Sequence, residues 1–290
     1  MATDQTSDET LIFHISDVHF GLEDRRAIAW AKAEIARQKP AAVAITGDLT
    51  MRARHREWDA ATQWINSLEA PVTIEVGNHD LPYYNPLERF LDPYRRFRAV
   101  EEKVERQLDL PGLAIVPLKT VRRWQPRWPW SYGWVTKPAL AKCLAALDGL
   151  PAGTQALIAV HHPLVEVNRM GKVLTHGGAN ALAELAKRRV LGVLSGHVHD
   201  AFDLQEQTPN GPVRMIGAGT LSQRVRSTPC SFNELRWDGR RIAVTVRSLD
   251  ELATPDMQID DVPPDALPPR RGGEPVAPIG AVPAVDPPVH

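Results

Sequence analysis

Short apolar runs alternate along the chain with longer stretches in which apolar residues recur every three or four positions. The short runs predict buried β-strands, and the periodic stretches predict amphipathic helices. In chain order, the predicted strands are 11–16, 41–46, 72–76, 113–118, 156–160 and 190–194, and the predicted helices are 25–38, 55–68, 137–147 and 179–188. Strands that alternate with helices favour a parallel sheet, so this part of the chain predicts an α/β fold.

The pattern changes beyond residue 200. Ranges 202–205, 213–216 and 233–248 are typical of strands, and Asp238-Gly239 predicts a hairpin turn within the last of them. The 36 residues from Pro255 contain ten prolines and no apolar periodicity, which is typical of a disordered tail or of a Pro-rich partner-binding segment. We therefore predict a flexible N-terminus over 1–10, one domain over 11–250 and a Pro-rich tail over 251–290.

Composition narrows the class of protein. A chain of 290 residues with 43% hydrophobic content is long enough for one large α/β domain with a sizeable core. The formal net charge of -1 gives no basic field that would attract nucleic acid or an anionic membrane. Cys143 and Cys230 match no metal or disulfide spacing and indicate ordinary thiols in a reducing compartment. The polar, acidic N-terminus and the lack of a membrane-length apolar run predict a soluble cytoplasmic protein.

Five short polar clusters each follow a predicted strand. They are Asp17-Val18-His19, Gly47-Asp48, Gly77-Asn78-His79-Asp80, His161-His162-Pro163 and Gly196-His197-Val198-His199. Because ligands bind outside the carboxyl ends of strands in an open α/β sheet, we expect the clusters to meet. Their oxygen and nitrogen donors, without a thiolate, suit Mn²⁺, Fe or Zn²⁺. Each cluster alone could be a turn or a loop with a structural histidine, but the set indicates a two-metal hydrolytic site.

The order D-x-H, G-D, G-N-H-D, H-x-P and G-H-x-H resembles the calcineurin-like metallophosphoesterase superfamily, over about residues 11–250. Within it, the chain is most similar to the bacterial cyclic-nucleotide and glycerophosphodiester phosphodiesterase branch. The resemblance implies a four-layer αββα sandwich of two mixed sheets flanked by helices, with two divalent metal ions bound between the sheet ends. It also implies two sets of metal ligands: Asp17, His19, Asp48 and His199 for one metal, and Asp48, Asn78, His161 and His197 for the other.

In this scheme Asp48 bridges the two metals. His161 rather than His162 matches the family's ligand, because it stands two residues before Pro163, and His162 is expected to have a supporting role. Two cations about 3.5 to 4 Å apart would make a bridging hydroxide at neutral pH and clamp the phosphate oxygens. His79 is left without a metal and is the candidate to bind the phosphate, next to Asn78, and to protonate the leaving alkoxide.

Two branches of the superfamily are disfavoured. Purple acid phosphatases carry a tyrosine ligand three residues after the bridging Asp, and Met51 stands at that position here. Protein Ser/Thr phosphatases carry a longer G-D-x-V-D-R-G signature, whereas this chain continues from Gly47-Asp48 to Met51-Arg52-Ala53.

Other residues have both a functional and a structural interpretation. The segment 122–134 holds four tryptophans interleaved with arginines, and Trp124 could contact substrate, pack within its own loop or form a homodimer contact. Arg169 could reach a phosphate. His14, inside the first strand, is expected to be a core imidazole. Four arginines are expected on a solvated helix face: Arg89, Arg95, Arg96 and Arg98.

The leading functional hypothesis is hydrolysis of a small-molecule phosphodiester through a metal-bridging hydroxide, with 3′,5′-cyclic AMP as the first candidate substrate. One alternative is a pyrophosphatase of lipid A synthesis acting on a UDP-diacylglucosamine-type substrate, whose acyl chain the Trp-rich segment could cover. A DNA-repair-type nuclease is another alternative, although it would need a basic groove and usually a capping domain. A non-enzymatic metal-binding scaffold is disfavoured, because a scaffold has no need for both the ligands and His79.

Overall fold

Mixed β-sheets form the frame of this computed structural model, which describes residues 9–82, 84–123, 131–166 and 175–250. In chain order the elements are β1 (Thr10–Ile15), α1 (Arg25–Gln38), β2 (Ala42–Ile45), α2 (His55–Asn66), β3 (Val72–Ile74), α3 (Pro86–Leu91), α4 (Arg95–Val104), β4 (Leu113–Pro117), α5 (Lys137–Asp148), β5 (Gln155–Ala159), α6 (Gly178–Leu185), β6 (Val190–Ser195), β7 (Phe202–Thr208), β8 (Gly211–Gly217), β9 (Ser231–Trp237) and β10 (Ile242–Ser248). The predicted Pro-rich tail and most of the predicted flexible N-terminus lie outside the described residues.

Two sheets of five strands each are found in the described part of the chain. Their strand orders are β10-β9-β1-β2-β3 and β4-β5-β6-β8-β7. β1, β2 and β3 pair in parallel, as do β4, β5, β6 and β8. β9 is antiparallel to β1 and β10, and β7 is antiparallel to β8. The predicted sandwich of two mixed sheets flanked by helices is confirmed.

Local signals in the sequence explain where the helices begin and end. Asp24 caps α1 by accepting hydrogen bonds from the backbone N–H groups of Arg26 and Ala27, and the helix ends at Lys39 in a left-handed conformation. Thr136 caps α5 in the same way, and Pro138 lies in the first turn, where it disrupts no helical hydrogen bond. The predicted limits of α1 agree with the structure for this reason.

A buried apolar cluster links the two sheets. Ile12 and Leu235 of the first sheet belong to the same cluster as Leu157, Leu194 and Ile216 of the second, and all five side chains are inaccessible to solvent. Burial on this scale is the main favourable contribution to folding. The cluster therefore holds the two sheets in a fixed relation, on which the geometry of any site between their edges depends.

The prediction of a solvated arginine face is wrong for two of the four residues. Arg96 is 15% exposed, and it donates hydrogen bonds to the carboxylate of Glu88 and to the carbonyl oxygen of Ala53. Arg89 is buried and donates to the carbonyl oxygen of Arg123. These arginines connect α3 and α4 to neighbouring loops, because a buried guanidinium must be paired.

No helix among the described residues has the length and apolar character needed to cross a membrane.

Candidate metal centre

The five polar clusters meet where the parallel strands of both sheets end. Asp17 and Asp48 follow β1 and β2 of the first sheet, and His161 and His197 follow β5 and β6 of the second. The carboxyl ends of parallel strands lie at one edge of a sheet, so the topology brings all four loops together. Asn78 joins them from the loop after β3.

One group of ligand atoms surrounds the end of β1. His199 Nε2 lies 3.1 Å from Asp17 Oδ1, and His19 Nε2 lies 3.6 Å from the same oxygen. The two histidine Nε2 atoms are 3.2 Å apart. His19 Nε2 is also 3.7 Å from Asp48 Oδ2. Asp17, His19 and His199 thus form one group that could hold a cation, and Asp48 approaches this group at His19.

A second group begins at the same Asp48 oxygen. His161 Nε2 lies 3.4 Å from Asp48 Oδ2 and 3.0 Å from Asn78 Oδ1. The rings of His161 and His197 are 5.1 Å apart between centroids. Asp48 Oδ2 therefore lies between the two groups, where a carboxylate shared by two cations would have to lie.

Backbone carbonyl groups orient two of the histidines. His161 Nδ1 donates to the carbonyl oxygen of Thr46, and His199 Nδ1 donates to that of Arg224, each over 2.8 Å. A neutral imidazole that donates through Nδ1 presents an unprotonated Nε2, which is the form that binds a metal.

The donor set fits a pair of divalent cations. Burial opposes the charge on His199, yet Asp17 Oδ1 at 3.1 Å from its Nε2 raises the pKa of His199, so a cation would compete with a proton for this nitrogen. Asp17 Oδ1 is buried and accepts no hydrogen bond from any described residue. An unsatisfied buried carboxylate oxygen lowers the stability of the fold by about 1–3 kcal/mol or more, and a bound cation would remove that penalty.

Electrostatics keeps the carboxylates charged. Burial alone would raise the pKa of Asp17, but His199 and His19 outweigh it and hold the pKa well below its usual range. The pKa of Asp48 is also lowered, because His161 and His79 outweigh its burial. Burial opposes the charge on His161, yet Asp48 beside it raises the pKa to about 9. Metal binding would replace that proton, so metal affinity should rise with pH.

Strained backbone is concentrated at these ligands. Seven described non-glycine residues have positive φ, and five of them are predicted ligands: Asp17 (53°), His19 (50°), Asp48 (52°), His197 (71°) and His199 (65°). Each such conformation is unfavourable by about 1–3 kcal/mol and persists where the surroundings enforce it, typically at functional sites.

A sequence model of the calcineurin-like phosphoesterase family matches residues 10–201, a span that carries all five clusters. The chain belongs to this family.

Several known proteins are similar to this calcineurin-like phosphoesterase in sequence or in structure. "Glycerophosphodiester phosphodiesterase GpdQ" of Enterobacter lignolyticus (strain SCF1) is 26% identical over 247 residues, which are 78% of this chain and 81% of that protein. A dimetal phosphatase from Danio rerio superposes with a TM-score of 0.63 at 14% identity, over 83% of this chain and 97% of its own. Purple acid phosphatase PPD1 from yellow lupin superposes with a TM-score of 0.60 at 14% identity, over 83% of this chain and 52% of its own. At this identity the two superpositions show a shared fold alone.

The calcineurin-like phosphoesterase is therefore a metal-dependent phosphoric ester hydrolase, and its cofactors are two divalent metal ions. Three groups of side chains could hold a cation, with ligand atoms within 4.8 Å of one another: Asp17, His19 and His199; Asp17, Asp48 and His161; and His161, His162 and His197.

The third group includes His162, but the contacts of this residue favour a supporting role. Its Nε2 donates to the carbonyl oxygen of Ser131 over 2.9 Å, and its Nδ1 lies 3.0 Å from the hydroxyl of Thr120. Burial, together with the nearby His197, holds its pKa well below the usual range. Both ring nitrogens are occupied by protein partners, as they are for the core residue His14 beside Thr46 and Asn233.

Sequence reasoning gave no role to Asp80, the last residue of its cluster. The buried carboxylate accepts hydrogen bonds from the backbone N–H groups of Gly77, Leu49 and Thr50. Burial and the neighbouring Asp48 raise its pKa to about 7. Asp80 therefore ties the Asp48 loop to the Asn78 loop. Its place in the Gly-Asn-His-Asp cluster was the one available signal.

Arg224 is a second residue that sequence reasoning missed. Its Nη1 donates to His79 Nε2 over 3.1 Å and lies 3.4 Å from His19 Nε2. No motif marks this position. The predicted substrate contacts Trp124 and Arg169, in contrast, lie outside the described residues.

Proposed function

We propose that this calcineurin-like phosphoesterase is a phosphodiesterase of small molecules, with 3′,5′-cyclic AMP as its leading candidate substrate. The observation that carries the proposal is the shared position of Asp48 Oδ2, 3.7 Å from His19 Nε2 and 3.4 Å from His161 Nε2. A carboxylate between two such groups suits a dinuclear centre, and dinuclear centres catalyse in-line displacement at phosphate esters.

The proposed ligands are those of the sequence scheme: Asp17, His19, Asp48 and His199 for one metal, and Asp48, Asn78, His161 and His197 for the other. When bound, the two cations supply an activated water and neutralise negative charge on the phosphoryl group. The protein groups then have to orient the ester and to stabilise the group that leaves.

We assign His79 to the leaving group. Its Nδ1 donates to the carbonyl oxygen of Met51 over 2.8 Å, which fixes the ring and directs Nε2 away from the backbone. Its backbone N–H donates to Asp48 Oδ1 over 2.8 Å, so the residue is held beside the bridging carboxylate without being a metal ligand in this scheme. Because Nε2 accepts an Arg224 N–H, the ring must first take up a proton from water at Nε2, and the resulting imidazolium can then donate that proton to a leaving alkoxide.

A glycerophosphodiester is the second candidate substrate. Its support is the 26% identical relative named as a glycerophosphodiester phosphodiesterase. The pyrophosphatase and nuclease alternatives receive no comparable support, since the Trp-rich segment on which the first depended lies largely outside the described residues.

A turnover panel on the Mn²⁺-loaded protein tests the proposal. The substrates are bis(4-nitrophenyl) phosphate, 4-nitrophenyl phosphate, 3′,5′-cyclic AMP, 2′,3′-cyclic AMP, glycerophosphoethanolamine and a UDP-sugar. We expect the diesters to be hydrolysed faster than the monoester, and Asp48→Asn, purified in parallel, to be inactive. Preference for the monoester would contradict the diesterase assignment, and hydrolysis of the UDP-sugar alone would favour the pyrophosphatase.

We further propose that the protein is cytoplasmic. That it forms a homodimer is a prediction from the sequence alone. The location is supported by Cys143 and Cys230, which are both buried and unpaired within the described structure. Unpaired thiols are typical of proteins in a reducing compartment.

A further inference from the structure

The loop between β8 and β9 approaches the metal centre from outside the region that defines the family. The loop comprises residues 218–230, whereas the family match ends at residue 201. The loop therefore lies beyond the residues that the family model matches, and none of the five polar clusters falls in it. Arg224 is the residue of the loop that reaches the ligands.

A chain of buried hydroxyls attaches the loop to the metal-binding end of β1. The Thr220 hydroxyl donates to the carbonyl oxygen of Asp17 over 2.6 Å and lies 2.7 Å from the Ser222 hydroxyl. Ser222 Oγ in turn accepts the backbone N–H of Arg224 over 3.2 Å. Thr220 and Ser222 are both fully buried. Arg224 is thus positioned relative to Asp17 through three successive hydrogen bonds.

The backbone and the side chain of Arg224 have separate contacts. Its carbonyl oxygen accepts the Nδ1 proton of His199, a backbone contact that does not involve the side chain. Its guanidinium is partly buried and faces His79 Nε2 at 3.1 Å and Met51 Sδ at 4.0 Å. Arg224 is thus the described arginine that contacts both a predicted ligand, His19, and the predicted catalytic residue.

We propose that the Arg224 guanidinium binds a non-bridging oxygen of the substrate's phosphoryl group, beside His79. This inference rests on the proposed phosphodiesterase function and adds a substrate-binding residue to it. A guanidinium is planar, carries several donors and suits a phosphate better than a point charge does. An imidazole nitrogen is a weaker acceptor than an anionic phosphate oxygen. The substrate phosphate can therefore displace His79 as the acceptor of Arg224.

The position also suits stabilisation of the transition state. Negative charge accumulates on the phosphoryl oxygens during displacement, and donors fixed in advance at those oxygens accelerate the reaction. The hydroxyl links through Thr220 and Ser222 fix the backbone from which the guanidinium extends. A freely mobile surface arginine would lack this benefit.

The test compares Arg224→Met with Arg226→Met in the Mn²⁺-loaded protein. Arg226 is an exposed residue of the same loop and serves as the matched control. The measurements are bound metal per chain, the affinity for inorganic phosphate by calorimetry, and kcat/KM on bis(4-nitrophenyl) phosphate.

We expect Arg224→Met to keep its metal while phosphate affinity falls about 10- to 100-fold, the loss of one charged hydrogen bond. Its kcat/KM should fall about 10²- to 10³-fold, as when one transition-state donor is removed. Arg224→Lys should recover part of both, and Arg226→Met should resemble the wild type.

Three results would overturn the inference. They are phosphate affinity in Arg224→Met within twofold of the wild type, loss of metal from that variant, and a wild type that binds no phosphate. Loss of metal would mean that the side chain holds the ligands and not the substrate. A wild type that binds phosphate but hydrolyses no diester would contradict the proposed function alone.

Discussion

Two adjacent histidines, His161 and His162, have opposite surroundings although both are buried. His161 donates through Nδ1 to a backbone carbonyl and directs Nε2 toward Asp48. His162 has a protein partner at each ring nitrogen, Thr120 and Ser131. A ring with one nitrogen facing carboxylates can accept a cation, whereas a ring with both nitrogens bonded to the protein stabilises the loops around it.

Alanine substitution should separate these roles. We expect His161→Ala to bind less than two metals per chain, because a ligand is removed. His162→Ala should retain both metals but lose about 1–3 kcal/mol of unfolding free energy, since its buried partners are left unpaired. Metal analysis and urea unfolding of the two variants measure this. Equal metal loss in both would mean that His162 is also a ligand.

His79 should matter most when the leaving group is basic. We expect His79→Ala to keep its metals and to lose about 10²- to 10⁴-fold in turnover of a diester with an alkoxide leaving group. The loss should be smaller for 4-nitrophenolate, which leaves without a proton. His55→Ala, at an exposed position, is the control. A loss independent of the leaving group would contradict the role of general acid.

At the scale of elements, the strands β3 and β6 are each followed by a glycine turn that leaves no room for extra atoms. A Cβ atom on Gly196 would lie 1.7 Å from Ser16 Oγ and 2.4 Å from Asp17 Oδ2. A Cβ atom on Gly77 would lie 2.0 Å from Asp48 Oδ1. The glycine backbone of the loop after β6 thus packs against side chains of the loop after β1. The glycine backbone of the loop after β3 packs in the same way against Asp48 of the loop after β2.

Gly196→Ala should therefore displace Asp17 and lower metal content. Asp17 Oδ2 accepts the backbone N–H of His197 over 2.7 Å, so the displacement should also disturb the loop after β6. Gly149→Ala, at the end of α5, is the control, because its Cβ atom would meet the carbonyl oxygen of Ala145 at 3.3 Å, a far milder contact than that at Gly196. Titration of both variants with Mn²⁺ measures the effect. Wild-type affinity in Gly196→Ala would show that the turn can relax.

Glu75, between β3 and the Asn78 loop, should make stability depend on pH. Burial raises its pKa to about 8, an effect that Lys119 reduces and Glu101 and Glu105 increase. The folded protein then keeps a proton that the unfolded chain releases above about pH 4.3. The free energy of unfolding that depends on this group is therefore highest below about pH 4.3 and falls as the pH rises from there to about 8.

Glu75→Gln should remove this dependence. Between pH 5.5 and pH 9 we expect the wild type to lose unfolding free energy relative to the variant, on the order of a few kcal/mol. Urea unfolding at the two pH values measures the difference, and exposed Glu69→Gln is the control. A wild type and Glu75→Gln with the same pH profile would contradict the raised pKa.

At the scale of the whole molecule, the metal ligands come from both sheets. Asp17 and Asp48 belong to the first, and His161, His197 and His199 to the second. The apolar cluster that includes Leu157 and Leu235 joins the same sheets. A cation that binds only the folded chain thus connects two halves that the core already holds together.

Metal removal should lower the thermal midpoint of the whole molecule in a single step. Ligand binding to the folded state alone adds RT ln(1 + [L]/Kd), about 2.7 kcal/mol at 100 Kd. We expect chelation to lower the Tm of the wild type clearly and that of Asp48→Asn only slightly. Asp59→Asn, at an exposed position, is the control and should respond to chelation as the wild type does. Calorimetry with and without Mn²⁺ measures this. An unchanged Tm in the chelated wild type would contradict the coupling.

Much of the fold and site could be predicted from local patterns. The limits of α1 followed from its cap at Asp24 and its stop before Pro40, and the strands followed from short apolar runs. The burial of Arg89 and the partial burial of Arg96 could not be predicted, because their partners Arg123 and Ala53 are 34 and 43 residues away. The periodicity of apolar residues indicates which residues share a face of a helix, but it does not indicate which part of the chain packs against that face.

The sequence by itself determined which donors this protein has and in what order they follow its strands. Several metal-binding side chains follow successive predicted strands, so the set that includes Asp17, Asp48 and His161 was visible as chemistry in the sequence. Only the tertiary structure decided which donors face each other, that Asp80 joins two of the loops, and that Arg224 reaches His79. These contacts join residues from 3 to 145 positions apart. The order of the strands and the packing of the core bring the distant residues together, and a local sequence pattern contains no information about either.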